Sequence, residues 1–182
     1  VHGIVHFNNT VPKDGTQEVL YGGPVVGSKN QPITQVLEFK RLLTKIKVKV
    51  SRTTAAENTL VKKITLNEAQ IPAGINLTSG EAVWNEILPV TIYDGAGIPV
   101  TQVSGSIGSP VMVCPWRNNI IYFDVETGEN IFRNVEAKID QDESFIAGKA
   151  YTITLTFTTT SITGQASIAA WETGDDSGHE FE

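Results

Sequence analysis

A single cysteine, Cys114, stands among 182 residues, so no intramolecular disulfide can form and the fold has to rest on its own core. The length allows this, because a chain of this size buries roughly 70% of its unfolded surface, enough for one domain or one domain with an extra segment. Cys114 ends the apolar run Val111-Met112-Val113. With no His beside it in sequence, it reads as a structural thiol in a buried strand rather than a reactive one. Positive charge is scarce too. Fourteen Lys and Arg against twenty Asp and Glu leave a formal charge of −6 and a pI near 5.1. No basic stripe with interleaved aromatics occurs, which argues against a nucleic-acid partner. No apolar run reaches the roughly 18 residues a spanning helix needs, and no charged-then-apolar leader opens the chain. Beginning at Val1, it reads as a mature or trimmed product.

Chemical motifs are equally sparse. The string nearest to a nucleophile elbow, Val103-Ser104-Gly105-Ser106-Ile107-Gly108, lacks the Gly-x-Ser-x-Gly pattern and reads as a loop. There is no phosphate-cradling loop ending in Gly-Lys-Ser/Thr, no His-Glu-x-x-His and no cysteine cluster. His2 and His6 would share a strand face but lie too far apart there for easy chelation, so the pair reads as incidental. Asp175, Asp176, His179, Glu180 and Glu182 could offer oxygen to a hard cation such as calcium, but their spacing is not that of an EF-hand, and they read as an acidic tail. No enzyme, cofactor or metal centre is expected. Trp84, Trp116 and Tyr122 fit either a carbohydrate-stacking platform or an ordinary sheet core.

What the sequence does have is alternation. Tyr151, Ile153, Leu155 and Phe157 alternate with Thr152, Thr154, Thr156 and Thr158, the two-residue period of a strand with one buried face. Ile162, Gly164, Ala166, Ile168 and Ala170 continue it, and Trp171 closes it, so Lys149–Trp171 predicts an antiparallel hairpin. A hairpin is marginal alone and needs a sheet around it and an apolar layer beneath. Ile46, Val48 and Val50 alternate with Lys45, Lys47 and Lys49, predicting a strand with a solvated lysine face after a break near Arg41–Leu43. Further strands are expected at Leu60–Leu66, Ala82–Trp84, Ile87–Tyr93, Ile98–Val103, Val111–Cys114, Ile120–Val125 and Ile131–Ile139. Asp94-Gly95-Ala96-Gly97 is expected to form a tight hairpin, and Asn67–Gly80 a connection broken by Pro72, Gly74 and Gly80. Short strands separated by turn signals, with no long helix, predict an all-β antiparallel sandwich or barrel. The expected organisation is an N-terminal strand and loop segment (1–32), serving as linker or remnant of an N-terminal domain, a β-sandwich (33–174) and an acidic tail (175–182).

Val19-Leu20-Tyr21-Gly22 and then Val36-Leu37-Glu38-Phe39-Lys40-Arg41-Leu42-Leu43-Thr44-Lys45-Ile46-Lys47-Val48 resemble the central segment of the fimbrillin-like proteins of Bacteroidales. The ending Phe145-Ile146-Ala147-Gly148-Lys149-Ala150-Tyr151-Thr152-Ile153-Thr154-Leu155, with Ile168-Ala169-Ala170-Trp171-Glu172-Thr173-Gly174, is similar to that family's C-terminal pattern in order and spacing. The match covers about residues 19 to 178, mainly the family's C-terminal part; Arg41 stands where many relatives carry His. The resemblance implies transthyretin-like, Greek-key β-sandwich domains and export as a lipoprotein precursor. It also implies proteolytic trimming and polymerisation into surface fimbriae by β-strand exchange. The lipidated cysteine of such a precursor is not in these residues.

Together these readings give an expectation of a non-enzymatic structural or adhesive subunit of a pilus shaft or tip, at the cell surface, in a fimbrium or on the outer face of the outer membrane. Its partners would be other pilin subunits or copies of itself, and host or bacterial surface glycans or proteins. Val5 and Phe7 in the first strand and Ile162 and Ile168 in the last are the expected assembly residues, since an extended segment can satisfy an open sheet edge and fill its side-chain pockets. The alternative is a monomeric carbohydrate-binding surface module using Trp116 or Tyr122.

Overall fold

The computed structural model describes residues 3–8, 10–25, 27–31, 36–139 and 144–171; no helix occurs among them. Three short strands come first: β1 (Ile4–His6), β2 (Leu20–Gly22) and β3 (Phe39–Arg41). β4 (Thr44–Arg52), β5 (Leu60–Ala69), β6 (Pro72–Asn76) and β7 (Ala82–Trp84) follow. Next come β8 (Leu88–Pro99), β9 (Gly105–Val113), β10 (Ile120–Thr127) and β11 (Ile131–Ile139). The hairpin of β12 (Ala150–Phe157) and β13 (Ile162–Ala169) ends the fold.

Alternation decides which face of each strand is buried. Ile46, Val48 and Val50 lie in the core with the lysines between them on the outer face, and Tyr151, Ile153, Leu155 and Phe157 are buried with their threonines outward, as the sequence predicts. Eight strands form one sheet in the order β8-β5-β10-β11-β13-β12-β4-β9. Five of its seven pairings are antiparallel. The pairs β11/β13 and β12/β4 run parallel, because the hairpin inserts between β4 and β11 with its second strand, not its first, against the β11 that precedes it. The sheet is nearly closed: a Cβ placed on Gly108 of β9 would overlap the Ile92 carbonyl oxygen of β8. The apolar layer that the hairpin needs is therefore the far side of its own sheet, and inward residues from all eight strands make one core. Two smaller sheets lie beside it, β1-β6-β7 and β2-β3.

Several local expectations change. Asn67–Gly80 contains strand, since β5 runs on to Ala69 and β6 occupies Pro72–Asn76. Pro72 stands at the first residue of β6, where proline is tolerated, and Gly74 is required because a Cβ there would lie 2.5 Å from the Val5 carbonyl oxygen of β1. The hairpin at Asp94–Gly97 does not form; β8 runs through it. Lys63 faces Asp94 while Val61 faces Ile98, so the extra residues of β8 are absorbed as a bulge, with Gly97 at φ +118°. Gly105–Gly108, expected in a loop, begin β9.

A polar tie crosses β5, β10 and β11. Asp124 Oδ1 accepts from Asn67 Nδ2 (2.9 Å) and the Asn134 amide (2.9 Å), and Oδ2 accepts from an Arg133 guanidinium nitrogen (3.0 Å). Asn134 has φ +52°, a left-handed conformation that Asn adopts more readily than most residues. Partial burial opposes ionisation of Asp124, but the Asn134 amide, the Asn67 amide and the Arg133 charge outweigh it and hold the carboxyl below its ordinary 3.8. A depressed carboxyl stabilises fully above its unfolded value and loses that contribution as pH falls through the folded one. Asp124→Asn is therefore expected to cost about 1–2 kcal/mol at pH 7 and to flatten the acid limb of stability below pH 3.8. Urea titrations at pH 7 and across that acid limb check this, and an unchanged midpoint at pH 7 would remove Asp124 from the stabilising tie.

Candidate functional site

The described residues hold no group of three or more His, Cys, Asp or Glu placed to bind a metal. His6 is exposed on β1, whereas His2 and the acidic tail lie outside the described residues. Cys114 sits one residue past β9, half-buried. Burial pushes its thiol up to about 11, against the pull of Arg117, so at neutral pH it is a protonated thiol and a poor nucleophile.

Two other features remain, strand edges and a cleft. β8 and β9 end the large sheet and approach each other at Ile92 and Gly108, while the small sheets present short outer strands of their own. β1 is the outer strand of β1-β6-β7, with Ile4, Val5 and His6 opposite Asn76, Ile75 and Gly74. The Phe7 amide donates to the Ala73 carbonyl (2.9 Å) and the Leu77 amide to the Gly3 carbonyl (3.2 Å). Val5 is 46% exposed and Phe7 is half-buried, so β1 is held mainly by backbone hydrogen bonds. β13 lies inside the large sheet. It pairs with β12 along its whole length and with β11 at Gly164–Ala166 only. Ile162 packs against the core, while Ile168, past the end of that parallel pairing, is 50% exposed. The structure thus puts Val5 on an outer strand with Phe7 just past its end, and Ile162 and Ile168 on a largely enclosed strand. Past β13, Trp171 lies under two cations, with the Arg41 guanidinium 4.9 Å and the Lys45 ammonium 5.3 Å from its ring centre. Arg41 is also paired with Glu18 at 2.8 Å.

The cleft lies where β5, β7 and β9 end and β8 and β12 begin, and has a volume of about 690 Å³. Trp84 and Trp116, both half-buried, line it together, with Glu68, Gln70 and Arg117 around them. Tyr122, on the outer face of β10, does not line it. Trp116 packs in a T-shaped contact with wholly buried Phe145, ring centres 6.1 Å apart, so this ring belongs to both core and cleft. Sequence reasoning singled out the two indoles and missed Glu68. Glu68 sits at φ +54°, where three steps of β5, from Leu66 to Ala69, match two of β8, from Val90 to Leu88. Such a bulge re-aims a side chain, and simple alternation gives no sign of it.

Comparison with known proteins bears on what this arrangement is for. A family model described as fimbrillin-like matches residues 11–171. No curated protein sequence matches the chain. Among solved structures, a candidate cell adhesion protein from Bacteroides uniformis is similar at a TM-score of 0.50 and 13% identity, covering 93% of this chain and 71% of that one. A fimbrial protein from Bacteroides vulgatus is similar at a TM-score of 0.48 and 15% identity, over 75% of this chain and 56% of that one. The tip fimbrial protein Mfa3 from Porphyromonas gingivalis is similar at 0.46 and 13% identity, over 81% of this chain and 60% of that one. The likeness to the first is one of all-β fold, and the chain spans only part of the length of each.

Proposed function

This chain belongs to the fimbrillin-like family, and from that premise we propose that it is a non-enzymatic structural or adhesive subunit of a bacterial surface fimbrium, joined to its neighbours by exchange of β-strands. The observation that carries the reading is β1. It is a three-residue outer strand with exposed Ile4 and Val5, lying on β6 in a register that a second copy could offer equally well. A strand held chiefly by backbone hydrogen bonds in its own subunit loses little by making the same bonds to a neighbour's edge. The second contribution would come from β13 beyond Ala166, with Ile168 as the contact residue.

Light scattering on the intact chain and on a chain lacking residues 1–7 tests this. The intact chain is expected to form concentration-dependent oligomers that vanish on trimming, because the donor is then gone. Association unchanged by trimming would remove β1 from the assembly, and a monomer in both forms would remove self-assembly itself.

A further inference from the structure

We propose that the Trp84–Trp116 cleft is a binding site for a neutral oligosaccharide, independent of whatever joins the subunits. Its volume, about 690 Å³, falls in the range of small-ligand sites, which favour the mouths of β-barrels. Its chemistry is mixed in a way that suits a sugar. Two half-buried indoles line it, and an indole face accepts the C–H side of a pyranose while leaving the ring hydroxyls free. Three polar groups serve those hydroxyls. The exposed Glu68 carboxylate has no partner among the described residues and can only accept. Arg117 supplies a planar set of donors. Gln70 spends an Nε2 hydrogen on the Asn85 carbonyl (2.7 Å), which leaves Oε1 as an acceptor.

Other ligands fit less well. An acyl chain or an apolar peptide side chain would strip water from Glu68 and Arg117 and give nothing in return. A phosphorylated ligand would meet the Glu68 carboxylate and a chain of net charge −6. The backbone beneath the acidic group is also set in advance. Asn67, next to it, is tied to Asp124 at 2.9 Å, and the bulge holds Glu68 in its left-handed conformation. A pre-set backbone narrows the directions the acceptor can take and lowers the entropy lost on binding.

The three tryptophans give a direct readout, since each indole N–H has its own signal in a nitrogen–proton spectrum. The probes are cellobiose, maltose, lactose and diacetylchitobiose, each titrated into the intact protein. At least one is expected to shift the Trp84 and Trp116 signals saturably and leave that of Trp171 in place. Trp84→Ala and Glu68→Gln are each expected to weaken that binding about tenfold, the scale of one lost charge-assisted hydrogen bond or stacked ring, with the rest of the spectrum unchanged. No response to any of the four sugars overturns the proposal, as does a response confined to Trp171 or one that both variants retain. If the sugars do nothing while the two indole signals broaden with rising protein concentration, the cleft is a contact between subunits and the sugar site is refuted.

Discussion

Phe145→Ala is expected to cost about 3–5 kcal/mol of folding stability, a large fraction of the roughly 5–15 kcal/mol that a domain has. Phe145 is wholly buried, its ring 4.8 Å from that of Tyr151 and 6.1 Å from that of Trp116. The backbone around it cannot easily collapse into the space that alanine would leave. The Ile146 amide donates to the Tyr151 hydroxyl (3.0 Å), that hydroxyl donates to the Ser144 carbonyl (3.1 Å), and the Ile146 carbonyl accepts from buried Thr44 (2.8 Å). A site pinned on both sides keeps its cavity, and cavity volume drives the cost toward the upper end of the range. Phe145→Leu, nearer in volume, should cost less than about 1.5 kcal/mol. Urea denaturation decides it through the midpoint at unchanged slope. If alanine costs no more than leucine, the segment collapses freely and the pinning argument is wrong.

Much of this architecture was legible because it depends on local period. The β12 residues and the lysine ladder of β4 announce their buried faces through alternation. What failed was punctuation. Pro72, Gly74, Gly95, Gly97, Gly105 and Gly108 all read as breakers, yet Gly74 and Gly108 are where another strand's backbone approaches too closely for any side chain. That meaning of glycine exists only once the partner strand is in place. The parallel pairing of β12 with β4, such as Ser51 opposite Thr156, joins segments so distant in sequence that no local pattern encodes it. In the cleft, Trp84 and Trp116 could be named as aromatic candidates, but nothing in the sequence groups them together or sets Tyr122 apart. Glu68 was hidden because its direction comes from a bulge, a property of two strands rather than one.

Gly108→Ala is expected to be as severe as the loss of the Phe145 ring, and for a reason that concerns assembly. At φ +68° alanine pays about 1–2 kcal/mol in left-handed backbone alone. Its methyl group would also occupy the space of the Ile92 carbonyl oxygen, so β9 has to move away from β8, bringing the total to about 3 kcal/mol or more. Gly105 in the same strand is the control. A Cβ there meets nothing within 4 Å, and Gly105→Ala should stay within about 0.5 kcal/mol of the parent. Hydrogen exchange should quicken along β8 and β9 in the Gly108 variant and not in the Gly105 variant; equal effects would refute the closure argument. β8 and β9 are the end strands of the sheet, and their close approach shields outer N–H and C=O groups that separation would leave open to other chains. Under the proposed assembly through β1, the remaining edges have to stay shielded. In a chain already lacking residues 1–7, Gly108→Ala should therefore restore association, now irregular and open-ended. If that double variant stays monomeric, sheet closure is not what protects this edge.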